Sequence, residues 1–248
     1  MYKQKQSLQS LTIADNIEKI EERLTKACER SGRKRNEITL MGVSKFVPLE
    51  KIKEAFDSGI FCFGESRVKD AQEKFLNYND VFPGIKLHLI GALQRNKAKN
   101  ALVFFDCIQS ADRVELIEEL IKHSSLREKP LEVLLELHTG EETKTGFANV
   151  DALCRAAELV LNCVSKDENS VSVNNLKLAG LMTMAPFTED AQLIRSSFRQ
   201  LKRAQKELEK RFSKGNFSCL SMGMSNDFEI AVEEGSTLLR IGSAIFKE

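Results

Sequence analysis

Short apolar runs alternate with amphipathic segments along most of the chain. Isoleucines and a leucine recur at spacings of three and four from Ile13 to Leu24, which predicts a leading amphipathic helix that ends near Ser31 and Gly32. The apolar runs that follow do not alternate with polar residues, as is typical of parallel strands buried on both faces. They cover residues 39–45, 60–65, 86–91, 104–110, 131–138, 176–182, 217–223 and 237–246.

A helical pattern separates each predicted strand from the next, so the chain reads as repeated β–α units. Eight such units in 248 residues match the length of a (β/α)8 TIM barrel, an α/β fold, with one extra N-terminal helix. An open, doubly wound sheet is the alternative. We find no linker and expect a single domain over residues 1–248, with the polar stretch Ser165–Asn175 as a flexible surface insertion.

Composition and charge exclude several classes of function. The chain is 42% hydrophobic and 29% charged, which excludes disorder, and 37 basic less 36 acidic residues leave a net charge of +1. This balance supplies no general attraction to nucleic acid or to an anionic membrane. No apolar stretch approaches the ~20 residues of a membrane span, and the first residues lack the apolar core of a signal peptide. We therefore expect a cytoplasmic protein without nucleic-acid or membrane partners.

The cysteines and histidines do not form a metal-binding pattern. The six cysteines contain no C-x-x-C pair and are accompanied by three histidines. We expect neither a zinc nor an iron–sulfur site, and no disulfides in a reducing compartment. The cysteines are at positions 28, 62, 107, 154, 163 and 219, and the histidines at 88, 123 and 138.

Reactive groups in this fold stand at the carboxyl ends of the strands, where Lys45 closes the first predicted strand. A lysine that points into the barrel mouth is partly desolvated, which disfavours its charged form and makes it a nucleophile toward carbonyl compounds. The alternative is that Lys45 begins a solvated loop.

The ends of the last two predicted strands favour an anion. Residues 221–225 place hydroxyls and a glycine before a helix that opens near Asn226, where Glu229 suits a capping box. Backbone N–H groups at such a turn can face an anion, and the loops after strands 7 and 8 are the usual phosphate site of these barrels. Together with Lys45, these turns indicate a ligand with a phosphate and an aldehyde, either pyridoxal 5′-phosphate (PLP) or a phosphosugar.

Several motifs, taken in order, resemble the pyridoxal phosphate homeostasis protein family. They are GVSK at 42–45, FGES at 63–66, HLIGALQRNK at 88–97, KTG at 144–146, GLM at 180–182, LSMGMSND at 220–227 and GSTLLRIGSAIF at 235–246. The resemblance extends from about residue 13 to residue 246. It implies a barrel similar to the amino-terminal domain of alanine racemase.

The resemblance also implies a role for individual residues. Lys45 would hold PLP as an internal aldimine, a Schiff base. Ser221, Gly242 and Ser243 would bind the phosphate, and Arg240 would approach the pyridine nitrogen. Because a guanidinium cannot accept a hydrogen bond, it keeps that nitrogen unprotonated and makes the ring a weak electron sink. The further cofactor-binding positions are Met182 and Ser225.

Some positions depart from the family pattern. Ser66 stands where family members usually carry asparagine, which leaves its contacts undecided. Ser243 stands where many carry threonine and keeps the hydroxyl, and Asn226 replaces a commonly acidic residue. The sequence does not decide whether other lysines form a secondary PLP site; the candidates are Lys97, Lys99 and Lys144.

No second acid/base residue is evident in the sequence. The resembling racemase takes a tyrosine from a separate domain, whereas Tyr2 lies at the chain start and Tyr78 late in a predicted helix. His88 and His138 lie within predicted apolar strands and are interpreted as hydrogen-bonded core residues.

We therefore expect a PLP-binding carrier or buffer that limits free PLP and delivers it to apo-enzymes. A monomer is expected, with a dimer as the alternative. Two other functions compete with this interpretation: a weak PLP-dependent amino-acid racemase or related enzyme, and a phosphosugar lyase that uses Lys45 without PLP.

Overall fold

The computed structural model describes residues 12–76, 78–140, 145–162 and 175–247. Within these residues, eight parallel strands pair in sequence order and close into a barrel, which confirms the predicted (β/α)8 fold. The strands are β1 Thr39–Val43, β2 Cys62–Glu65, β3 Lys86–Leu89, β4 Cys107–Ala111, β5 Leu131–Glu136, β6 Leu176–Met182, β7 Cys219–Ser221 and β8 Leu238–Ile241.

Helices follow the strands and surround the barrel. They are α1 Ile13–Ser31, α2 Leu49–Asp57, α3 Val68–Lys74, α4 Tyr78–Val81, α5 Ala98–Phe104, α6 Val114–His123, α7 Val150–Asn162, α8 Ala191–Arg211, α9 Phe228–Glu233 and α10 Ser243–Phe246. Short 3-10 turns cover Arg35–Glu37, Arg95–Lys97 and Ser124–Leu126. None of the described helices combines the length and the apolar character needed to cross a bilayer.

Helix α1 has the bounds that its apolar spacing predicts. Thr12 and Asp15 form a capping box at its start, and Gly32 ends it at φ 66°, a left-handed conformation that glycine adopts without a Cβ penalty. Its buried face packs against α9 and α10, so the leading helix closes the outer ring beside β8.

Side chains on each strand alternate between two environments. On β5, residues 131, 133 and 135 belong to the core between the barrel and its helices. Leu134 instead packs inside the barrel with Cys107, Ala179 and Met182. Even-numbered residues of β5 therefore point inward, with Glu132 at the base of the barrel and Glu136 at its mouth.

Several predicted boundaries are wrong. The apolar run 237–246 is not one strand, because β8 ends at Ile241 and the rest forms α10. Helix α9 begins at Phe228, and Glu229 pairs with Arg23 instead of forming a capping box with Asn226. The predicted insertion 165–175 lies outside the described residues apart from Asn175, whose carbonyl accepts from Leu131 N–H.

Candidate functional site

A cavity of about 690 Å³ opens at the carboxyl ends of the strands, and we call it the mouth cavity. Its volume suits a small organic ligand. Among the described residues, its charged lining consists of Lys45, Glu136, Asp227 and Arg240. Loops that are far apart in sequence therefore bring two cations and two acids to one cavity.

The mouth cavity collects most of the cofactor-binding residues named from the sequence. Lys45, Ser225, Arg240, Gly242 and Ser243 all line it. Ala244 N–H donates to Ser225 Oγ at 3.3 Å, which joins the loop after β7 to the start of α10. Two further positions from the sequence comparison, Ser66 and Asn226, also line the cavity.

Ser221 and Met182 do not line this cavity. Ser221 is fully buried, and its Oγ donates to Gln109 Oε1 at 2.6 Å. Met182 packs inside the barrel against Cys107 and Leu134. The cofactor contacts implied for Ser221 and Met182 stay predictions, and the observed hydrogen bonds give Ser221 a supporting position beneath the cavity.

Lys45 lies two residues beyond β1, in a turn. Ser44 N–H donates to the Gly64 carbonyl at 3.0 Å, so the chain is still attached to β2 immediately before the lysine. Phe46 follows in a left-handed conformation at φ 63°. Lys45 is an exposed residue, and it lines the mouth cavity from this turn.

A buried ion pair fixes the turn that carries Lys45. Lys74 Nζ on α3 donates to Glu65 Oε1 at 2.7 Å and to the Ser44 carbonyl at 2.8 Å. Ser44 Oγ donates to the same Glu65 oxygen at 2.7 Å. Glu65 is 1% exposed, so the pair is shielded from water and holds the base of the turn firmly. Lys74 carries no sequence signal for this role, because it lies within a helix and not at a strand end.

Arg240 is a fixed cation on the floor of the cavity. Its Nη1 donates to the Ser221 carbonyl and to Ser221 Oγ, both at 2.7 Å, and Nη2 donates to the Thr183 carbonyl at 2.8 Å. Burial lowers the pKa of Arg240 to about 10, against the opposing effects of Asp227 and Glu136. The guanidinium therefore remains charged at neutral pH. An arginine within an apolar strand was the sequence signal for this position.

Glu136 is a buried carboxyl that sequence analysis left without a role. It is 2% exposed, and its Oε1 accepts from Thr145 Oγ1 at 3.1 Å. Burial raises the pKa of Glu136 to about 7; Asp112 also raises it, while the Thr145 bond and Arg240 lower it. The sequence signal for an acid/base group at this position is a glutamate that closes an apolar strand.

A buried polar chain runs from Arg240 toward the base of the barrel. Gln109 accepts from Ser221 Oγ and donates through Nε2 to His88 Nδ1 at 2.8 Å. Burial lowers the pKa of His88 to about 4, so it stays neutral and is the hydrogen-bonded core residue that we expected. For His138 this interpretation is wrong, because it lies past β5, is partly exposed, and its Nδ1 has no partner within the described residues.

Two of the other lysines named from the sequence, Lys97 and Lys99, lie apart from the mouth cavity. Lys97 lines a neighbouring cavity of about 490 Å³, together with Arg67 and Lys69. Lys99 is exposed and lines neither cavity. Lys144, Tyr2 and the side chain of Tyr78 lie outside the described residues.

Comparison with known proteins gives consistent matches along the chain. Residues 13–248 match the family model described as alanine racemase, N-terminal domain. The pyridoxal phosphate homeostasis protein of Aquifex aeolicus is 36% identical over 239 residues, covering 96% of this chain and 99% of that one. The Escherichia coli protein of the same name is 33% identical over 239 residues, covering 94% and 95%.

Solved structures agree with these matches. The structure of PipY from Synechococcus elongatus with PLP bound is similar at a TM-score of 0.74 and 32% identity, covering 92% of this chain and 99% of that one. An alanine racemase from Clostridium difficile is similar at a TM-score of 0.66 and 11% identity, covering 94% of this chain and 56% of that one. The second similarity concerns the fold alone.

Proposed function

The chain belongs to the pyridoxal phosphate homeostasis protein family, and from this premise we propose that it holds PLP as a Schiff base on Lys45. It serves as a carrier or buffer of PLP in the cytoplasm and not as an enzyme. The observation that carries the proposal is the mouth cavity, which brings the Lys45 amine together with the buried Arg240 cation. The PLP described as bound to the similar PipY structure supports it.

The residues of the cavity fit this cofactor. When bound, PLP supplies an aldehyde that condenses with a primary amine with loss of water, and Lys45 is such an amine at the edge of the cavity. The hydroxyls of Ser225 and Ser243 and the backbone at Gly242 offer hydrogen-bonding groups for a phosphate. Arg240 offers a charged donor whose orientation is fixed by Ser221 and Thr183.

Two features of the site suit a carrier. Arg240 remains protonated and can only donate to a ring nitrogen, so it does not place on that nitrogen the proton that strengthens PLP as an electron sink. Lys45 is exposed, so water would have access to an imine formed there, as reversible release of the cofactor requires. We propose apo forms of PLP enzymes as recipients and a monomer as the working form.

Glu136 favours a second candidate function, slow racemisation of amino acids. A racemase needs a group besides the lysine that gives or takes a proton, and Glu136 is a buried carboxyl in the same cavity. Turnover of an amino-acid panel well above that of free PLP, lost in Lys45→Ala, would establish this function in place of the carrier role.

Reduction of the purified protein with borohydride in the presence of PLP tests the proposal. We expect peptide mapping to find the phosphopyridoxyl label on the Lys45 peptide, and we expect Lys45→Ala to lose both this label and the visible absorption of the imine. Lys97→Ala is the matched control, because Lys97 lines the neighbouring cavity and its removal leaves the label in place. A label on another lysine, retained in Lys45→Ala, would overturn the assignment.

A further inference from the structure

Glu136 occupies the last inward-facing position of β5. Leu134, two residues earlier, packs inside the barrel, and Glu132 lines the cavity at the base. The alternation of the strand therefore directs the Glu136 carboxyl toward the mouth cavity, which it lines together with Lys45 and Arg240. Its position comes from the regular geometry of the strand and not from a loop.

The hydrogen bonds of Glu136 leave part of its carboxyl open to the cavity. Within the described part of the chain, the carboxyl accepts one hydrogen bond, from Thr145 Oγ1 to Oε1. Arg240 does not pair with it, because Nη1 is directed to Ser221 and Nη2 to Thr183. Oε2 therefore has no hydrogen-bond partner among the described residues and can face the molecule that fills the cavity.

The groups around Glu136 make its protonated form accessible near neutral pH. Asp112 follows β4 on one side and is bonded to Arg113, while the uncharged Thr183 and Met184 follow β6 on the other side. Arg240 on β8 favours the ionised form, but burial outweighs it and raises the pKa of Glu136 to about 7. Within the residues that the structure describes, the other titratable groups nearby are Lys45 and Asp227 across the cavity and His138 beyond the end of β5.

We propose that Glu136 is a ligand-binding residue of the mouth cavity and that it accepts an anionic ligand in its protonated form, so that ligand binding brings a proton into the barrel. An ionised carboxylate would repel a phosphate-bearing molecule in this cavity, whereas a protonated carboxyl can donate a hydrogen bond to it. The proton comes from solvent. The inference rests on the proposed function in that PLP is taken as the ligand.

Proton uptake during PLP binding tests the proposal. PLP is titrated calorimetrically at pH 8 into the full chain, freed of cofactor, in two buffers with different ionisation enthalpies. At this pH roughly nine-tenths of Glu136 is ionised before binding, so we expect wild type to take up about 0.5–1 proton more per PLP than Glu136→Gln. The glutamine keeps the shape and a donor but does not titrate. Proton changes at Lys45 and at the phosphate are common to both proteins and cancel.

Glu132→Gln is the matched control, because Glu132 lies on the same face of β5 at the opposite end of the barrel. We expect its proton uptake to equal that of wild type. Equal uptake by wild type and Glu136→Gln would overturn the proposal and leave the proposed function standing. If wild type binds no PLP, the proposed function fails, and the same titration with inorganic phosphate then decides the role of Glu136.

A second variant covers the case in which Glu136→Gln does not fold. Thr145→Val removes the hydrogen bond that favours the ionised carboxylate. We expect the midpoint of the pH dependence of PLP affinity to move to higher pH in this variant. An unchanged midpoint, or one moved to lower pH, would contradict a proton held by Glu136.

Discussion

The mouth and the base of the barrel both contain cavities lined by ionisable side chains. The buried ionisable groups include a charged arginine at the mouth, whereas those at the base are neutral. At the mouth, a cavity of about 690 Å³ contains the buried Arg240 and Glu136, which are not paired with each other. At the base, a cavity of about 360 Å³ is lined by Cys62, His88, Cys107 and Cys219 among others. These four groups stay neutral: burial lowers the pKa of His88 to about 4, raises that of Cys219 to about 11, and raises the pKa of Cys62 and Cys107 as well.

The charged side chains of the ion pair at the base are exposed to solvent. Glu132 and Lys177 pair at 2.8 Å, with side chains 43% and 50% exposed. Burying a charge without full pairing costs free energy, so a fold that serves stability alone keeps its charges at the surface or neutral, as the base does. The buried, incompletely paired charges of the mouth support the proposal that the ligand binds at this end.

Replacing Arg240 by methionine should have the largest effect on stability. The change leaves the Thr183 carbonyl without its donor, leaves the Ser221 carbonyl with the Thr183 N–H alone, and removes the cation that faces Glu136. Each buried polar group left without its partner costs about 1–3 kcal/mol, so losing the contacts to Thr183 and Ser221 together should cost on the order of 3–5 kcal/mol. Urea denaturation at pH 7 measures this loss as a lower midpoint.

Lys177→Met is the comparison at the base. Its ion pair with Glu132 is exposed, and such pairs contribute about 0–1 kcal/mol. The contrast between the two ends would fail if both variants lost the same small amount.

The pH dependence of stability should differ between Glu136→Gln and Glu132→Gln. The pKa of Glu136 is about 7 in the folded chain and near its ordinary 4.5 in the unfolded chain. Between these values the folded state binds more protons, so the free energy of unfolding falls as pH rises, by up to about 3 kcal/mol at pH 8. Glu136→Gln removes this loss and should be more stable than wild type at pH 8 but not at pH 4.

Glu132→Gln lacks a comparable effect, because Glu132 is paired and exposed. Denaturation curves for the three proteins at pH 4, 6 and 8 provide the measurement. A difference between wild type and Glu136→Gln that does not change with pH would show that the buried carboxyl does not titrate in this range.

The regular parts of the fold could be predicted because their signals are local. The spacing from Ile13 to Leu24 and the stop at Gly32 give α1 its bounds, and the apolar runs give the strands. The predicted strand 237–246 is wrong because a short apolar run does not distinguish a buried strand from a buried helix. Helix α10 begins directly after Gly242.

The candidate site was less predictable because its contacts are long-range. Lys74 holds the Ser44 carbonyl from thirty residues away, and nothing in the sequence near Lys74 indicates this contact. Glu136 gains its properties from burial and from Arg240, about a hundred residues later in the chain. Met182 is the last residue of β6, a position typical of site residues in this fold. Its side chain nevertheless packs inside the barrel, beneath the cavity.

The smallest expected effects on stability come from substituting one exposed aromatic residue at the mouth and one at the base of the barrel. Phe46, beside Lys45, is 77% exposed and has φ 63°, whereas Phe61, before β2 at the base, is 54% exposed and packs edge-on against Phe56 at 5.2 Å. Glycine adopts the left-handed conformation without a Cβ clash, so Phe46→Gly should raise the free energy of unfolding by about 0.5–1 kcal/mol. Phe61→Gly relieves no such clash and loses a ring contact, so it should lower the free energy of unfolding by about 1 kcal/mol.

Urea denaturation of both variants measures whether the free energy of unfolding rises or falls in each. A loss of stability in Phe46→Gly would mean that the Phe46 ring, which lies 6.0 Å from the Arg67 guanidinium, stabilises the turn more than its backbone strains it.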